Sequence, residues 1–209
     1  AKLTRPDILA DVSYLSTHSQ APNDCDWNDC IRILEYLYST KEVPLKFESP
    51  TAELHCYVDA SFASHQDSKG HSGIVLWFGG PILTKSTKQK IMTKSSSESE
   101  FVAINEAIPY LLETRELLKE LGEPCNAPST IFEDNSSTIS FCKSGQGTSG
   151  RTKHLNTRLA YIKDQQDQGN IMLNHLPTNL MIADILTKPL ARKQFSNLRD
   201  KLLNHASKD

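Results

Sequence analysis

Hydrophobic residues near the start of the chain recur at the spacing of α-helices. Apolar positions over residues 7–18 and 27–38 fall mostly on one side of a helical wheel, which predicts two helices. Two helices are too few to bury a core of their own, so we expect them to pack on the rest of the chain. The pattern changes near Ser49 and Pro50, where we place a boundary.

The longer part that follows alternates between short β-prone runs and amphipathic segments. Strands are expected over residues 54–59, 73–78, 82–85 (with 91–93 continuing the third), 130–134 and 170–176. Helices are expected over residues 97–121, 136–143, 153–168, 177–186 and 192–204, with a Ser/Gly loop over 144–150. This order, β-β-β-α-β-α-α-β-α plus a final helix, predicts an α/β protein with a mixed five-stranded sheet flanked by helices.

We therefore divide the chain into three segments. Residues 1–49 form an N-terminal helical appendage, residues 50–190 the α/β domain, and residues 191–209 a C-terminal helical extension. The chain begins at Ala1 without an initiator Met or a signal-peptide pattern, as expected for a piece of a longer polypeptide.

Composition narrows the possible functions. The formal net charge is −2, so contact with nucleic acid would depend on local basic clusters. No apolar run approaches the roughly 20 residues that a membrane span needs. The five cysteines include no C-x-x-C pair, which argues against a zinc knuckle, and Cys56 and Cys142 have the apolar neighbours of reduced core thiols. Free thiols indicate a reducing, cytosolic type of compartment.

Carboxylates occur at two predicted strand ends. Asp59 ends the first strand and Asp134 ends the strand after the long helix. If these strands are parallel neighbours, both side chains emerge at the sheet edge where α/β proteins bind ligands. A single Asp at a strand end is commonly a turn or cap residue, so periodicity alone leaves both readings open. Converging acids would repel one another, and divalent cations would relieve that repulsion.

Two further acids lie in apolar surroundings. On the wheel of the long helix, Glu100 borders the buried stripe and Glu98 lies away from it, where it can interact with the helix dipole. Asp184 is flanked by Ile182, Ala183, Ile185 and Leu186 in the last predicted helix of the domain. A carboxylate beside a buried face needs a cation or a hydrogen-bond donor.

Five segments, in order, resemble the motifs of copia-type ribonuclease H domains. They are YVDASFA (57–63), SSSESEFVA (95–103), EDNSSTI (133–139), GRTKHLNTR (150–158) and HLPTNLMIADILTKPL (175–190). Upstream, TRPDILADVSYLS (4–16) and DWNDCIRILEYLYST (26–40) resemble the end of the reverse transcriptase of the same elements. The chain departs from the pattern at Ser61, Phe62, Thr84 and Asp26, and none of these departures removes an acid.

The resemblance implies a ribonuclease H-like fold and hydrolysis of the RNA strand of RNA–DNA hybrids during retrotransposon reverse transcription. It implies that Asp59, Glu100, Asp134 and Asp184 are catalytic and hold two Mg²⁺, which Mn²⁺ can replace. The implied partners are the hybrid and the upstream reverse transcriptase domain of the same polyprotein, with no membrane. The implied location is cytoplasmic, within retrotransposon particles.

Basic and polar residues beside the motifs are candidates for binding the hybrid. Phosphate contacts of this kind read the shape of the duplex rather than its base sequence, although a solvated face is the alternative reading for the first lysines. The candidates are Lys85, Lys88, Lys90, Ser96, Asn135, Arg151, Lys153, His154 and Arg158. His175 is a candidate auxiliary residue that helps product leave, against a structural role in its strand.

Two other functions remain to be weighed. A decayed or domesticated copy would bind nucleic acid or tether the polymerase without catalysis, which the four intact acids argue against. An integrase-type catalytic domain would carry its acids in the order Asp, Asp, Glu. Here the order is Asp, Glu, Asp, Asp, which disfavours it.

Overall fold

A computed structural model describes residues 1–48, 53–145 and 153–205, with the side chains of residues 153 and 154 excepted. The described strands are β1 (His55–Ser61), β2 (His71–Trp77), β3 (Pro81–Lys88), β4 (Ser129–Glu133) and β5 (Ile171–His175). The described helices are α1 (Leu9–Ser16), α2 (Asp24–Ser39), α3 (Ser96–Glu120), α4 (Ser136–Ser144), α5 (Lys153–Asp167) and α6 (Arg192–Leu202). Short 3-10 turns span Pro6–Ile8, Thr178–Leu180 and Ile182–Leu186.

Polar side chains fix where several helices begin. Asn23 and Asp26 form a reciprocal capping box at the start of α2. The Ser95 hydroxyl accepts a hydrogen bond from the backbone N–H of Glu98 at the start of α3. Asn135 caps α4 in the same way, accepting from two backbone N–H groups. The chain thus leaves β4 and enters α4 within a few residues, which holds Asp134 in a short, well-defined connection.

The five strands form one mixed sheet in the order β3-β2-β1-β4-β5. β1, β2 and β3 pair antiparallel, whereas β4 pairs parallel with both β1 and β5. This confirms the predicted fold class, a mixed five-stranded sheet with helices on its faces. β1 lies at the centre, so a residue at its end has neighbours from several elements.

Apolar residues cover both faces of the sheet. On one face, α3 packs on β1 and β2, and the helices α4 and α5 complete the cluster around Phe101, Ile104 and Ile131. On the other face, Val75 packs with the 3-10 turn Ile182–Leu186, with α6 and with Leu9. Residues from all three proposed segments therefore share this second cluster, and the segment boundaries stay predictions. In the described part, no helix is long and apolar enough to cross a bilayer.

Two predicted elements differ from the observed ones. The helix expected over residues 177–186 is two 3-10 turns, because Met181 between them has an extended backbone. Residues 91–93 do not continue β3, which ends at Lys88. Beyond it, the Gln89 amide turns inward and donates to the Ser72 hydroxyl and the Ser99 carbonyl, and this directs the chain towards α3. Of the predicted Ser/Gly loop, residues 146–150 lie outside the described part.

The turn that carries Asp184 lies directly against β2 at Gly73. A Cβ atom on Gly73 would come within 2.7 Å of Thr187 Cγ2 and 2.9 Å of the Ala183 carbonyl oxygen. Gly73 is also the antiparallel partner of Asp59. The absence of a side chain at this position therefore allows the turn to approach Asp59 in the central strand.

Candidate metal centre

Three of the predicted acids meet at the carboxyl end of β1 and β4. Asp59 in β1, Glu100 in α3 and Asp134 after β4 each offer a carboxylate oxygen, and these oxygens lie within 4.8 Å of one another. Asp59 and Glu100 are buried, and Asp134 is half-buried. The register explains the pairing, since His55 to Tyr57 face Thr130 to Phe132 and the same offset brings Asp134 beside Asp59.

Asp184 reaches this cluster through a lysine. Lys188 Nζ lies 2.8 Å from Asp59 Oδ1 and 3.0 Å from Asp184 Oδ1, so one ammonium bridges two buried carboxylates. Burial lowers the pKa of Lys188, but the attraction of Asp59 and Asp184 outweighs it and raises that pKa above its ordinary value. Burial and the nearby charge of Asp59 raise the pKa of Asp184 to about 7.

Two threonines orient the acids. The Thr187 hydroxyl donates to Asp59 Oδ2, and the Thr178 hydroxyl donates to Asp134 Oδ2 at 2.8 Å. Both threonines belong to the segment after β5, so this segment supplies a donor to Asp59 and to Asp134. A bonded carboxylate keeps one rotamer, which sets the direction of its remaining oxygen.

A fifth acid, Glu133, lies beside the cluster on the α3 side of the sheet. It is fully buried, and its Oε1 accepts a hydrogen bond from the backbone N–H of Asn135 at 3.1 Å. Burial raises the pKa of Glu133, and the charge of Asp59 adds to the effect. Burial also raises the pKa of Glu100, followed by repulsion from Glu133 and Asp59. These are the shifts expected of carboxylates held together without a cation.

The donor set fits a divalent cation. Mg²⁺ and Mn²⁺ prefer carboxylate oxygens, and the cluster offers them from three different elements. Glu100 Oε2 and Glu133 Oε2 are buried and, within the described residues, have no hydrogen-bond partner. Buried polar atoms without a partner are uncommon, and a missing ion is one of the ordinary explanations.

The two glutamates near the start of α3 have different places. Glu98 lies outside the cluster, where its Oε2 accepts a hydrogen bond from the backbone N–H of Lys94 at 2.7 Å. Together with Ser95, it caps the helix. Glu100 faces the sheet, as the helical wheel indicated.

The predicted basic residues have different partners. Lys85 Nζ lies 4.1 Å from the centroid of the Tyr110 ring, and Lys88 pairs with Asp67 at 2.9 Å. Lys90 is exposed. The half-buried Arg158 has an Nη1 atom that is buried and, in the described part, lacks a hydrogen-bond partner.

Only some of the other residues predicted to bind the hybrid lie within the described part of the chain. Arg151 and the side chains of Lys153 and His154 lie outside the described residues. Ser96 is exposed in the first turn of α3, and the Asn135 side chain caps α4 while its amide lies 3.4 Å from Ser97 Oγ. His175 is exposed, with Nε2 within 3.0 Å of the Asp134 carbonyl oxygen.

Sequence reasoning assigned no role to Glu133, Thr178, Thr187 and Lys188. Three of them lie in the HLPTNLMIADILTKPL segment, for which the sequence predicted roles for Asp184 and His175 alone. Glu133 stands immediately before Asp134, in a strand whose alternation directs it towards the α3 face. An acidic residue at an inward-facing strand position is the sequence feature that could have indicated a role for Glu133.

The sequence was compared with protein-family models and with curated proteins. No protein-family model matches the chain. It is 34% identical over 203 residues to the retrovirus-related Pol polyprotein from transposon RE2 of Arabidopsis thaliana, covering 95% of the chain and 14% of that protein. It is 27% identical over 206 residues to the transposon Ty1-NL2 Gag-Pol polyprotein of Saccharomyces cerevisiae, covering 96% and 12%.

Among solved structures, the chain is similar to LC11-RNase H1, isolated from compost by a metagenomic approach. The sequence identity is 17% and the TM-score 0.47, over 72% of this chain and 98% of that one. The chain spans about one seventh of the length of the curated relatives it matches, 14% in the first case.

Proposed function

The chain belongs, as a segment, to the Pol polyproteins of copia-type transposons, and from this we propose that it is their ribonuclease H. It hydrolyses the RNA strand of RNA–DNA hybrids formed during reverse transcription. The observation that carries the proposal is the meeting of Asp59, Glu100 and Asp134, which come from three separate elements, within 4.8 Å. An arrangement built from such distant positions is poorly explained by caps or turns.

We assign the divalent cations of the reaction to this edge of the sheet. Asp59, Glu100 and Asp134 would hold one, and Asp59 with Asp184 would hold a second, Mg²⁺ being replaceable by Mn²⁺. When bound, such cations lower the pKa of a water and stabilise charge on the leaving oxygen of a phosphodiester. The threonines keep the acids in position, since Thr187 and Thr178 each donate to a carboxylate oxygen.

The hybrid would approach the exposed side of the cluster. Asp134 is the least buried of the three clustered acids, and Ser96 and Asn135 lie at the starts of the two helices beside it. Lys90, which is exposed, would contribute a phosphate contact. Contacts of this kind are sensitive to salt and read the backbone and the 2′-hydroxyl groups.

The upstream part of the same polyprotein is the proposed protein partner. α2 carries an apolar stripe on its outer side, where Trp27, Leu34 and Tyr38 are exposed by 67%, 59% and 77%. These positions lie within a narrow arc of the helix. A stripe of large exposed apolar residues on a segment that resembles the end of a reverse transcriptase supports a contact with the rest of that enzyme.

A cleavage assay tests the proposed activity. We expect the chain to cut a labelled RNA–DNA hybrid with Mg²⁺, to spare duplex DNA of the same sequence, and to stop when EDTA is added. Asp134→Asn, at a half-buried position, should abolish cleavage and keep the fold. Asp167→Asn, at an exposed position at the end of α5, is the matched control and should cleave normally. Hybrid binding without cleavage by the unmodified chain would indicate the decayed, non-catalytic module instead.

A further inference from the structure

Lys188 holds the position between Asp59 and Asp184. Its ammonium is within hydrogen-bond distance of both carboxylates, 2.8 Å from one and 3.0 Å from the other. The Asp59 side chain is fully buried and that of Asp184 nearly so, whereas the Lys188 side chain is 35% exposed. The lysine therefore enters the pair from the solvent side and neutralises charge that would otherwise be buried without a partner.

The two sides of Asp59 differ in what is available to an incoming cation. On the Glu100 side, Glu100 Oε2 has no hydrogen-bond partner among the described residues. On the Asp184 side, Lys188 occupies Asp59 Oδ1, and Thr187 occupies Asp59 Oδ2. A cation on the first side finds a free oxygen, whereas a cation between Asp59 and Asp184 meets an ammonium already in place.

A cavity beside Lys188 could accept its ammonium group after displacement. Lys188 borders a cavity of about 620 Å³ between α1, α2 and the segment after β5. The wall of this cavity also carries Asp11, Asp29 and Arg32, and Arg32 pairs with Asp29 at 3.1 Å. A displaced ammonium would find the Asp11 carboxylate there. Burial, followed by repulsion from Asp29, raises the pKa of Asp11, and an ammonium brought close to Asp11 would oppose that shift.

We propose that Lys188 is a built-in competitor of the divalent cation between Asp59 and Asp184, so that binding on that side requires displacement of the lysine. The inference rests on the proposed function, which supplies the reason for a cation at this edge. It makes the two cation positions unequal, the one beside Asp184 being the weaker. Lys188 thus acts as a positioning residue that keeps Asp59 and Asp184 together until a cation replaces it.

Binding of Mn²⁺ to the whole chain, measured by calorimetry and by electron paramagnetic resonance of free Mn²⁺, tests the proposal. The wild type should show one tighter and one weaker binding event. Lys188→Gln should strengthen the weaker event by about tenfold or more, since a hydrogen bond to a charged group commonly corresponds to at least that factor. In EDTA the same variant should melt at a lower temperature than the wild type, because two buried carboxylates lose their cation.

Two further variants control for charge and for folding. Lys193→Gln removes one positive charge from an exposed position at the start of α6, and its Mn²⁺ binding should equal that of the wild type. Lys188→Arg keeps a cation at the site, so its weaker event should stay weak. A general effect of net charge would strengthen binding equally in Lys188→Gln and Lys193→Gln, and would overturn the proposal.

Unchanged or weaker Mn²⁺ binding in Lys188→Gln would also overturn it, because the lysine would then support the cation rather than oppose it. Failure of the proposed function would look different: the wild type would bind Mn²⁺ in two events and leave the hybrid uncut. Absence of Mn²⁺ binding in every variant would remove both the proposed metal centre and this inference.

Discussion

Replacing Glu133 by Gln is expected to stabilise the metal-free protein at neutral pH. The side chain is fully buried, and burial together with the charge of Asp59 raises its pKa to about 9. The folded state therefore keeps a proton on Glu133 that the unfolded chain releases near pH 4.5. Stability is unaffected below that pH and falls as the pH rises towards 9, because the unfolded state then binds fewer protons than the folded state.

The size of the effect follows from these two pKa values. At about pH 7.5, three pH units above the ordinary pKa of 4.5, retaining the proton costs about 4 kcal/mol at about 1.4 kcal/mol per unit. Glutamine has nearly the same shape and no charge, but its buried amide adds a donor that costs about 1–2 kcal/mol. The expected net gain is about 2–3 kcal/mol at pH 7.5, and the gain should grow by about 4 kcal/mol between pH 5 and pH 8.

Denaturant unfolding in EDTA at several pH values, followed by tryptophan fluorescence, measures this difference. Glu116→Gln is the matched control, because that glutamate has a side chain 70% exposed on α3 and should change stability little at any pH. The change with pH is the diagnostic quantity. A stability difference between wild type and Glu133→Gln that is the same at pH 5 and pH 8 would refute the reasoning, since the carboxyl would then carry its ordinary pKa.

Three further predictions concern the other acids and a buried histidine. Glu100→Gln should lower the rate of hybrid cleavage by orders of magnitude. Glu98→Gln should leave both the rate and the melting temperature near those of the wild type, because the glutamine oxygen can still accept from the Lys94 N–H. Equal rates in the two variants would contradict the assignment. Mg²⁺ at a hundredfold excess over its Kd should add about 2.7 kcal/mol to the stability of the wild type, and clearly less to that of Asp59→Asn; an equal gain in both would point to general surface charge. Burial, with the nearby charge of His65, lowers the pKa of His71 to about 4 from 6.5, so the folded state resists protonation and should lose about 3 kcal/mol between pH 6.5 and pH 4. A His71→Gln variant whose stability falls as steeply over that range as the wild type's would show that another group is responsible.

Local pattern was sufficient for most of the sheet, whereas for the acids it left a turn or cap role open beside a shared site. The runs that form β1 and β2 are apolar, β-prone and bounded by turn residues, so their positions follow from near neighbours in the sequence. The helical wheel separated Glu100 from Glu98 because only the rotation about one helix matters there. Asp59 and Asp134 were placed together by a general rule about parallel strands, and the structure brings their carboxylates into one cluster.

Contacts between residues far apart in the sequence could not be predicted from local pattern. Lys188 and Thr187 contact Asp59 across 129 and 128 positions of sequence. Nothing about a lysine in a Thr-Lys-Pro sequence indicates which carboxylate it will meet. The predicted helix around Asp184 was wrong for a different reason. Over so few residues, 3-10 and α-helical spacing are hard to distinguish, and the extended backbone of Met181 depends on tertiary packing.

The close approach at Gly73 bears on how copies of such a mobile element lose activity. A single methyl group there would push against the Ala183 carbonyl and Thr187 and displace the turn that carries Asp184. Such a copy would keep all four acids, and under the proposed function we expect it to lose cleavage. On this expectation, intact acids alone do not mark a working copy, and a glycine opposite Asp59 is a second requirement that a survey of copies can check.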